Sequence, residues 1–256
     1  MSHVIAVAGK GGTGKTTICA FVTRFLIENK MTPILALDAD PNSNLNELLG
    51  VKVENTVGRV REDIRNSYGK IPPGMTKKSY MELKLQESLI ENAGFDLLVM
   101  GRPEGQGCYC YANSLFREYA DVLVSNYSYV VMDNEAGLEH LSRMTTRDVD
   151  TFLITSDASI RGLQAAIRVK ELSDDLKLRM GRAYLVINRA DDARALDLYN
   201  TYAGDKLELA GVIPSDEAIF EMDFRGQNIF DLPVDSIALK KVFDIIGKIF
   251  GVPELK

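Results

Sequence analysis

The sequence predicts an α/β fold in which a mostly parallel central sheet of about seven to eight strands carries helices on both faces. Short apolar runs alternate with helical patterns along most of the chain, which is typical of strands joined by helical crossovers. A chain of 256 residues with 46% hydrophobic residues can bury one sizeable core, or at most two small ones. No repeat or Pro/Gly/Ser-rich linker divides the sequence, so we expect a single domain over residues 1–256.

Seven apolar runs are predicted as strands, at residues 4–8, 34–37, 97–100, 129–132, 151–154, 184–187 and 209–213. Helical patterns lie between most of them, at residues 17–29, 80–92, 115–125, 160–172 and 237–250. The charged segment 51–76, interrupted by Pro72-Pro73-Gly74, predicts a short helix followed by an exposed loop. Right-handed crossovers would place the loops after the strands at 4–8, 34–37 and 129–132 at one edge of the sheet.

Composition restricts the possible functions. A net charge of −6 without a long basic run argues against non-specific nucleic-acid binding as the main task. No stretch approaches the roughly 20 apolar residues of a membrane span, and the first strand begins too early to follow a signal peptide, so we expect a cytoplasmic protein. Three cysteines are too few for a disulfide scaffold, so any cysteine function should be metal or redox chemistry.

A P-loop pattern occupies residues 9–16, which read Gly-Lys-Gly-Gly-Thr-Gly-Lys-Thr and stand between a predicted strand and a predicted helix. Glycines allow backbone N–H groups to converge on phosphate oxygens, and the helix N-terminus adds a favourable dipole. Lys15 would reach the β- and γ-phosphates of ATP, and the Thr16 hydroxyl would ligate Mg²⁺. The residues expected to bind nucleotide here are Gly11, Gly12, Thr13, Gly14, Lys15, Thr16 and Thr17.

Carboxylates end two of the predicted strands. Asp38 and Asp40 precede Pro41, and Asp40 is our candidate to orient or deprotonate the attacking water while Asp38 supports Mg²⁺ through its water ligands. An alternative is that Asp40 caps a helix beginning near Asn42. Asp133 ends the run at 129–132 as a Walker B aspartate does, which predicts a place on the Mg²⁺ hydration shell.

The KGGTGKT form of the P-loop resembles the deviant Walker A motif of the ATPase class that includes MinD, ParA and the nitrogenase iron protein. This resemblance implies that Lys10 crosses a homodimer interface to contact the partner's nucleotide, although a solvated surface lysine is the alternative. The sequence Asp-Ala-Asp-Pro at 38–41 is similar to the first switch of that class, which implies the catalytic role of Asp40. Residues 134–137 resemble the second switch, where a backbone N–H near Gly137 would sense the γ-phosphate.

The same resemblance implies an adenine site near the end of the sixth predicted strand. Asn188 and Arg189 follow that strand, and in the class an asparagine at such a position recognises the adenine edge. The loop at Pro214 would pack on the ring. A strand-end asparagine that only forms a turn is the alternative for Asn188.

A C-x-C motif, Cys108 and Cys110, lies in a glycine-rich loop after the third predicted strand. In extended backbone these side chains project to the same side, so they can offer two thiolates together, which is half of a tetrahedral site. The partner in a two-fold dimer would supply two more, and such a site suits Zn²⁺, Ni²⁺ or an iron–sulfur cluster. An incidental pair or a redox dithiol remains an alternative, and Cys19 is expected in the core.

Four segments together resemble the CooC-type ATPases, which help to insert nickel into carbon monoxide dehydrogenase, and a related maturation factor for acetyl-CoA synthase. These segments are KGGTGKT, DADP, GCYC and VVMDNEAGLEHL. The resemblance implies an ATP-dependent dimer that binds nickel or zinc through Cys108 and Cys110 of both subunits and serves a nickel enzyme as client. Thr13 departs from the valine that is commoner in the class, but it is still expected to pack under the phosphates.

Two other functions are less consistent with the sequence. An iron–sulfur reductase of the nitrogenase type takes cluster cysteines from two loops, whereas this chain has no cysteine after Cys110. A positioning ATPase of the MinD or ParA kind leaves the C-x-C motif unexplained. The amphipathic segment 239–250 could bind a membrane as a terminal helix, but a helix packed on the sheet is favoured. His140 is expected to be structural rather than a metal ligand.

Overall fold

The computed structural model describes residues 2–40, 44–66, 71–101, 122–134, 149–175 and 180–252. The strands in these ranges are β1 His3–Gly9, β2 Ile34–Asp38, β3 Leu89–Asn92, β4 Phe95–Val99, β5 Tyr129–Asp133, β6 Val149–Ser156, β7 Met180–Asn188 and β8 Glu208–Ile213. The helices are α1 Lys15–Glu28, α2 Leu45–Leu48, α3 Val57–Asn66, α4 Lys77–Gln86, α5 Ile160–Asp175, α6 Asp192–Tyr202, α7 Glu217–Phe224 and α8 Ile237–Phe250.

The described strands form one eight-stranded sheet in the order β3-β4-β2-β5-β1-β6-β7-β8. Each neighbouring pair is parallel except β3 with β4, which is antiparallel. Strand β1 lies between β5 and β6, so that β2 to β5 are on one side of it and β6 to β8 are on the other. Parallel α/β sheets bind ligands at the carboxyl ends of the strands where the strand order reverses in this way. The predicted fold class is confirmed.

Both faces of the sheet are covered by apolar side chains. Along β1, Val4, Ala6 and Ala8 join one buried cluster, whereas Ile5 and Val7 join the cluster on the opposite face. This alternation follows from the two-residue period of a strand, and burial on both sides explains why β1 reads as a continuous apolar run. The sequence pattern therefore identified this strand correctly as a buried one.

The C-terminal helix α8 packs against the first helix and against strand β8, so the helix packed on the sheet that the sequence favours is confirmed. It buries Leu239, Val242, Ile245 and Ile246, and the ring of Phe243 meets the ring of Phe25 edge-on at a centroid distance of 5.2 Å. Cys19 of α1 is fully buried in the same cluster, as expected. Among the described helices, none combines the length and the apolar character needed to cross a membrane.

One predicted helix is partly wrong. The helix expected at residues 80–92 is α4, which begins after its N-cap Thr76 and ends at Gln86, and residues 89–92 form β3 instead. Met81, Leu85 and Leu89 continue a helical spacing, which is why the pattern overran the true end. The turn at residues 93–94, with Gly94 at φ +94°, folds β3 back onto β4 as a hairpin.

Other differences concern helices that the sequence pattern missed, and helices predicted partly outside the described residues. Helices α6 and α7 were not predicted, although Asp191 and Asp216 cap their N-termini by accepting backbone N–H bonds. The short helix expected within residues 51–76 is α3. Of the helix predicted at 115–125, only residues from 122 onward are described, and residues 122–124 are helical.

Candidate nucleotide-binding site

Strand register brings the predicted phosphate-side residues to one edge of the sheet. Asp38 at the end of β2 pairs with Asp133 at the end of β5, and Asp133 in turn pairs with Val7 of β1. The P-loop begins at Gly9, the last residue of β1. The ends of these three strands therefore lie together, because the carboxyl ends of parallel strands lie at the same edge.

The P-loop is held through its backbone carbonyl groups. Asn188 Nδ2 donates to the Thr13 carbonyl at 2.9 Å, and the Arg189 guanidinium donates to the Gly12 carbonyl. The Thr13 hydroxyl donates to the Lys10 carbonyl at 2.8 Å. These bonds fix one side of the loop without using the N–H groups on which phosphate binding depends.

Two glycines of the loop lie where a side chain would not fit. Gly9 has φ +151°, and a Cβ there would lie 2.4 Å from the Thr155 carbonyl oxygen. Gly14 has φ +88°, and its Cβ would lie 2.4 Å from Nδ2 of Asn188. The ends of β6 and β7 thus approach the P-loop backbone so closely that only glycine is accommodated at these positions.

The amide groups of the loop are available to a ligand. Within the described ranges, the backbone N–H groups of Gly12, Gly14 and Lys15 have no hydrogen-bond acceptor, and no side chain caps the N-terminus of α1. The Lys15 side chain is only 8% exposed, whereas Lys10 is exposed. Unpaired N–H groups at a glycine-rich helix start fit an anion such as a phosphate chain.

The carboxylate of Asp133 is buried beside Lys15, Thr16 and Cys19, but among the described residues no hydrogen bond of standard geometry reaches it. Its side chain is 1% exposed, and neither of its oxygens accepts a hydrogen bond in the part of the chain that is described. Burial raises the pKa of Asp133 to about 6, against the lowering influence of the Thr16 hydroxyl and the Lys15 ammonium group. Oδ1 of the neighbouring Asn134 is likewise buried and unpaired. These orphaned oxygen atoms fit a hard cation such as Mg²⁺.

Asp38 organises the chain that follows β2. Its carboxylate accepts the N–H of Asp40 and the N–H of Leu45, both at 3.1 Å, and Leu45 is the first residue of α2. Burial and the charge of Asp133 raise the pKa of Asp38 to about 7, although these two hydrogen bonds act in the lowering direction. Residue 42, near which the alternative places a helix capped by Asp40, lies outside the described residues, so that alternative stays a prediction.

The residues expected around adenine lie side by side. Asn188 pairs with Ile213, the last residue of β8, and Pro214 follows it. The Asn188 amide already donates to Thr13, and its oxygen accepts the N–H of Arg189. One amide hydrogen and one oxygen lone pair remain, so contact with an adenine edge is still possible for this side chain.

Several predicted residues lie outside the described residues. They are Gly137 of the second switch, His140, and the C-x-C pair Cys108 and Cys110. Sequence reasoning also missed a residue that the structure brings into the site, Thr155, whose hydroxyl lies 2.6 Å from that of Thr13. Its position just beyond the predicted strand at 151–154 was the available signal.

Comparison with known proteins agrees with this geometry. The sequence matches the CobQ/CobB/MinD/ParA nucleotide binding domain over residues 4–229. An uncharacterized ATP-binding protein of Methanocaldococcus jannaschii is 45% identical over 251 residues, covering 97% of this chain and 98% of that protein. The carbon monoxide dehydrogenase accessory protein CooC of Rhodospirillum rubrum is 30% identical over 241 residues, covering 89% of each.

A solved structure gives the same result for the fold. The septum site-determining protein MinD of Pyrococcus horikoshii OT3, complexed with Mg-ADP, matches with a TM-score of 0.71 at 20% identity. The match covers 97% of this chain and 96% of that chain, and it shows that the two share a fold. With its P-loop, its sheet order and its matching sequence, this chain belongs to the CobQ/CobB/MinD/ParA family of nucleotide-binding domains.

Proposed function

We propose that this chain is an ATP-hydrolysing metallochaperone, a single P-loop domain that dimerises with ATP and delivers nickel, or zinc, to a client enzyme. The observation that carries the ATPase part is the buried, unpartnered carboxylate of Asp133 next to the P-loop. Such a group is costly to keep in a folded protein unless a cation binds it. The C-x-C motif carries the metal part.

The proposed roles in hydrolysis follow the positions of the side chains. Lys15 and the free N–H groups of the loop bind the β- and γ-phosphates, and Asp40 positions or deprotonates the attacking water. Mg²⁺ would be held by Thr16, Asp133 and, through water, Asp38; when bound it neutralises charge on the phosphate oxygens. Adenine is recognised by Asn188, with Arg189 and Pro214 beside it.

Dimerisation links the nucleotide to the metal in this proposal. Lys10 is exposed and so is available to a second copy, whose nucleotide it contacts. Cys108 and Cys110 of both subunits then form a four-thiolate site for the nickel or zinc cargo, a ligand set that suits either metal. Hydrolysis relaxes the loops at Asp40 and Gly137, so the site opens toward the client.

The relative named CooC supports the class of client. CooC is an accessory protein of carbon monoxide dehydrogenase, and it shares 30% identity over 89% of this chain. The client we propose is accordingly carbon monoxide dehydrogenase or acetyl-CoA synthase. A chain that hydrolyses ATP but binds no metal in either nucleotide state would instead be a positioning ATPase of the MinD or ParA kind.

Substitution of single cysteines tests the metal assignment. Cys108→Ser and Cys110→Ser should each abolish stoichiometric nickel binding under anaerobic conditions while the affinity for ATP is retained. Cys19→Ala is the matched control, because Cys19 is fully buried and should not contribute to metal binding. Nickel affinity that is unchanged in Cys108→Ser would exclude the C-x-C motif as the metal site.

A further inference from the structure

The residues around Lys10 restrict the backbone dihedral angles of this part of the loop only weakly. Lys10 stands between Gly9 and the pair Gly11 and Gly12, and glycine populates many backbone conformations. Hydrogen bonds from the surrounding structure must therefore set the direction in which the Lys10 side chain leaves the loop. The one side-chain donor to the Lys10 carbonyl in the described residues is the hydroxyl of Thr13, at 2.8 Å.

A second hydroxyl orients that donor. The oxygen atoms of Thr13 and Thr155 lie 2.6 Å apart. A hydroxyl group has a single hydrogen, and Thr13 uses its hydrogen on the Lys10 carbonyl. The Thr155 hydroxyl has two acceptors within reach, the Thr13 oxygen at 2.6 Å and the Ala8 carbonyl at 3.3 Å, and we assign its hydrogen to the shorter contact with Thr13. The result is a directed chain from Thr155 of β6, through Thr13, to the carbonyl of Lys10.

The two hydroxyl groups are enclosed. Thr13 and Thr155 are each 1% exposed, so their mutual bond does not compete with water. Thr155 also lies opposite Gly9 in the strand register, and its carbonyl closely approaches the Gly9 Cα. One residue of β6 thus contacts the loop on both sides of Lys10.

We infer that the hydroxyl pair Thr155–Thr13 positions Lys10 for its action in the partner's site, which makes Thr155 and the Thr13 side chain positioning residues for hydrolysis. The inference rests on the proposed function, in which Lys10 acts across the dimer. The phosphate-binding part of the loop is held separately, by Asn188 through the Thr13 carbonyl. Loss of the hydroxyl pair should therefore affect the dimer-dependent step more than the binding of nucleotide to one chain.

Conservative substitutions test this role without changing side-chain volume. Thr13→Val and Thr155→Val keep the shape of each side chain and remove its hydroxyl, and Thr155→Ser keeps the hydroxyl. We expect kcat for MgATP hydrolysis to fall about fivefold in Thr13→Val and about threefold in Thr155→Val, the effect of one lost hydrogen bond. The double variant should be no slower than Thr13→Val, because the two groups act as one chain. Thr155→Ser should hydrolyse ATP at close to the wild-type rate.

Affinity for Mg-ADP and amide hydrogen exchange complete the test. The dissociation constant for Mg-ADP should stay within about twofold in each variant, while exchange of the amides in residues 9–13 should become faster in Thr13→Val. Independent, multiplied effects in the double variant, or an equal loss of Mg-ADP affinity, would overturn the inference. If the wild-type protein hydrolyses no ATP, the proposed function fails, and the exchange measurement still decides whether the hydroxyl pair holds the loop.

Discussion

The backbone carbonyl groups of the P-loop and the carboxylate of Asp133, on two sides of the nucleotide site, differ in how fully they are paired. On the P-loop side, the carbonyl groups of Gly12 and Thr13 accept hydrogen bonds from the end of β7, and that of Lys10 accepts one from the Thr13 hydroxyl. On the carboxylate side, both oxygens of Asp133 are buried and have no partner among the described residues. The protein thus builds the loop before ligand arrives, whereas it leaves a destabilising charge where the cation is expected.

This difference shows that one edge of the sheet combines a preorganised P-loop with a carboxylate whose hydrogen-bonding capacity is unsatisfied. Preorganisation lowers the cost of binding phosphate, because the loop need not be ordered by the ligand. The unpaired carboxylate lowers the stability of the metal-free protein but favours cation binding. Changes on the two sides should therefore have different signatures, and four substitutions or conditions can separate them.

The largest expected effect is that of Lys10→Ala. If Lys10 contacts the partner's nucleotide, its loss should lower kcat by about a thousandfold, the range measured for cationic groups supplied in trans to phosphoryl transfer. The affinity of one chain for ATP should change little, because Lys15 remains. Lys206→Ala removes another exposed lysine as the control. Normal steady-state hydrolysis in Lys10→Ala would show that Lys10 has no role across the dimer.

Asp133→Asn should change activity and stability in opposite directions. Loss of the cation-binding carboxylate is expected to lower kcat about a hundredfold. Because the charge is buried and its pKa is raised to about 6, its removal should increase the free energy of unfolding of the Mg²⁺-free protein by about 2 kcal/mol.

Asp96→Asn is the matched control for this stability measurement. The Asp96 carboxylate accepts a hydrogen bond from the Tyr127 hydroxyl, so its substitution should not stabilise the protein. Urea unfolding in the presence of a chelator measures both variants. Destabilisation by Asp133→Asn would contradict the interpretation of Asp133 as an unpaired charge.

Asn188→Ala probes the paired side of the site. Its hydrogen bond to the Thr13 carbonyl supports the loop for any nucleotide, whereas the remaining amide hydrogen and lone pair would discriminate adenine. We expect the affinity for ATP to fall about 25-fold and the affinity for GTP about fivefold, with roughly fivefold for each lost interaction. Asn200→Ala, an exposed amide on α6, is the control. An equal decrease for both nucleotides would show that Asn188 only supports the loop and does not recognise adenine.

The smallest expected effect is a dependence of stability on pH without Mg²⁺. Burial raises the pKa of Asp38 to about 7 and that of Asp133 to about 6, so the folded protein keeps protons that the unfolded chain releases near pH 4. The stability contributed by these protonated carboxyl groups is present below pH 4 and is lost as the pH rises to about 7. The melting temperature of the chelated protein, relative to the variant Asp38→Asn/Asp133→Asn, should fall by roughly 5 °C between pH 5 and 7.5. Parallel pH profiles for the two proteins would contradict the assigned shifts.

The sequence was sufficient to predict the sheet and the placement of its loops. The P-loop and the aspartates that end β2 and β5 carry local patterns, and the rules for parallel sheets then place the ends of these strands at one edge. The hairpin of β3 and β4 was missed because Leu89 continues the spacing of Met81 and Leu85, and only pairing with β4 decides that residue 89 is extended.

The contacts that hold the P-loop could not be predicted. Thr155 meets Thr13 across 142 positions of sequence, and Asn188 meets Thr13 across 175. The local sequence patterns of β6 and β7 do not predict which loop the side chains near the ends of these strands contact. That contact depends on the register of neighbouring strands. The sequence favoured an adenine contact for Asn188. The structure adds the hydrogen bond from Asn188 to the P-loop, which the sequence alone does not reveal.

The central claim is that ATP binding and metal binding occur in the same dimer, and an anaerobic nickel titration tests it most directly. Nickel bound per chain and oligomeric mass would be measured together, with and without a non-hydrolysable ATP analogue. The account predicts about one nickel per dimer, held in a Cys₄ site whose sulfur-to-nickel charge-transfer bands disappear in Cys110→Ser. A protein that binds the ATP analogue but takes up no nickel in either nucleotide state would contradict it.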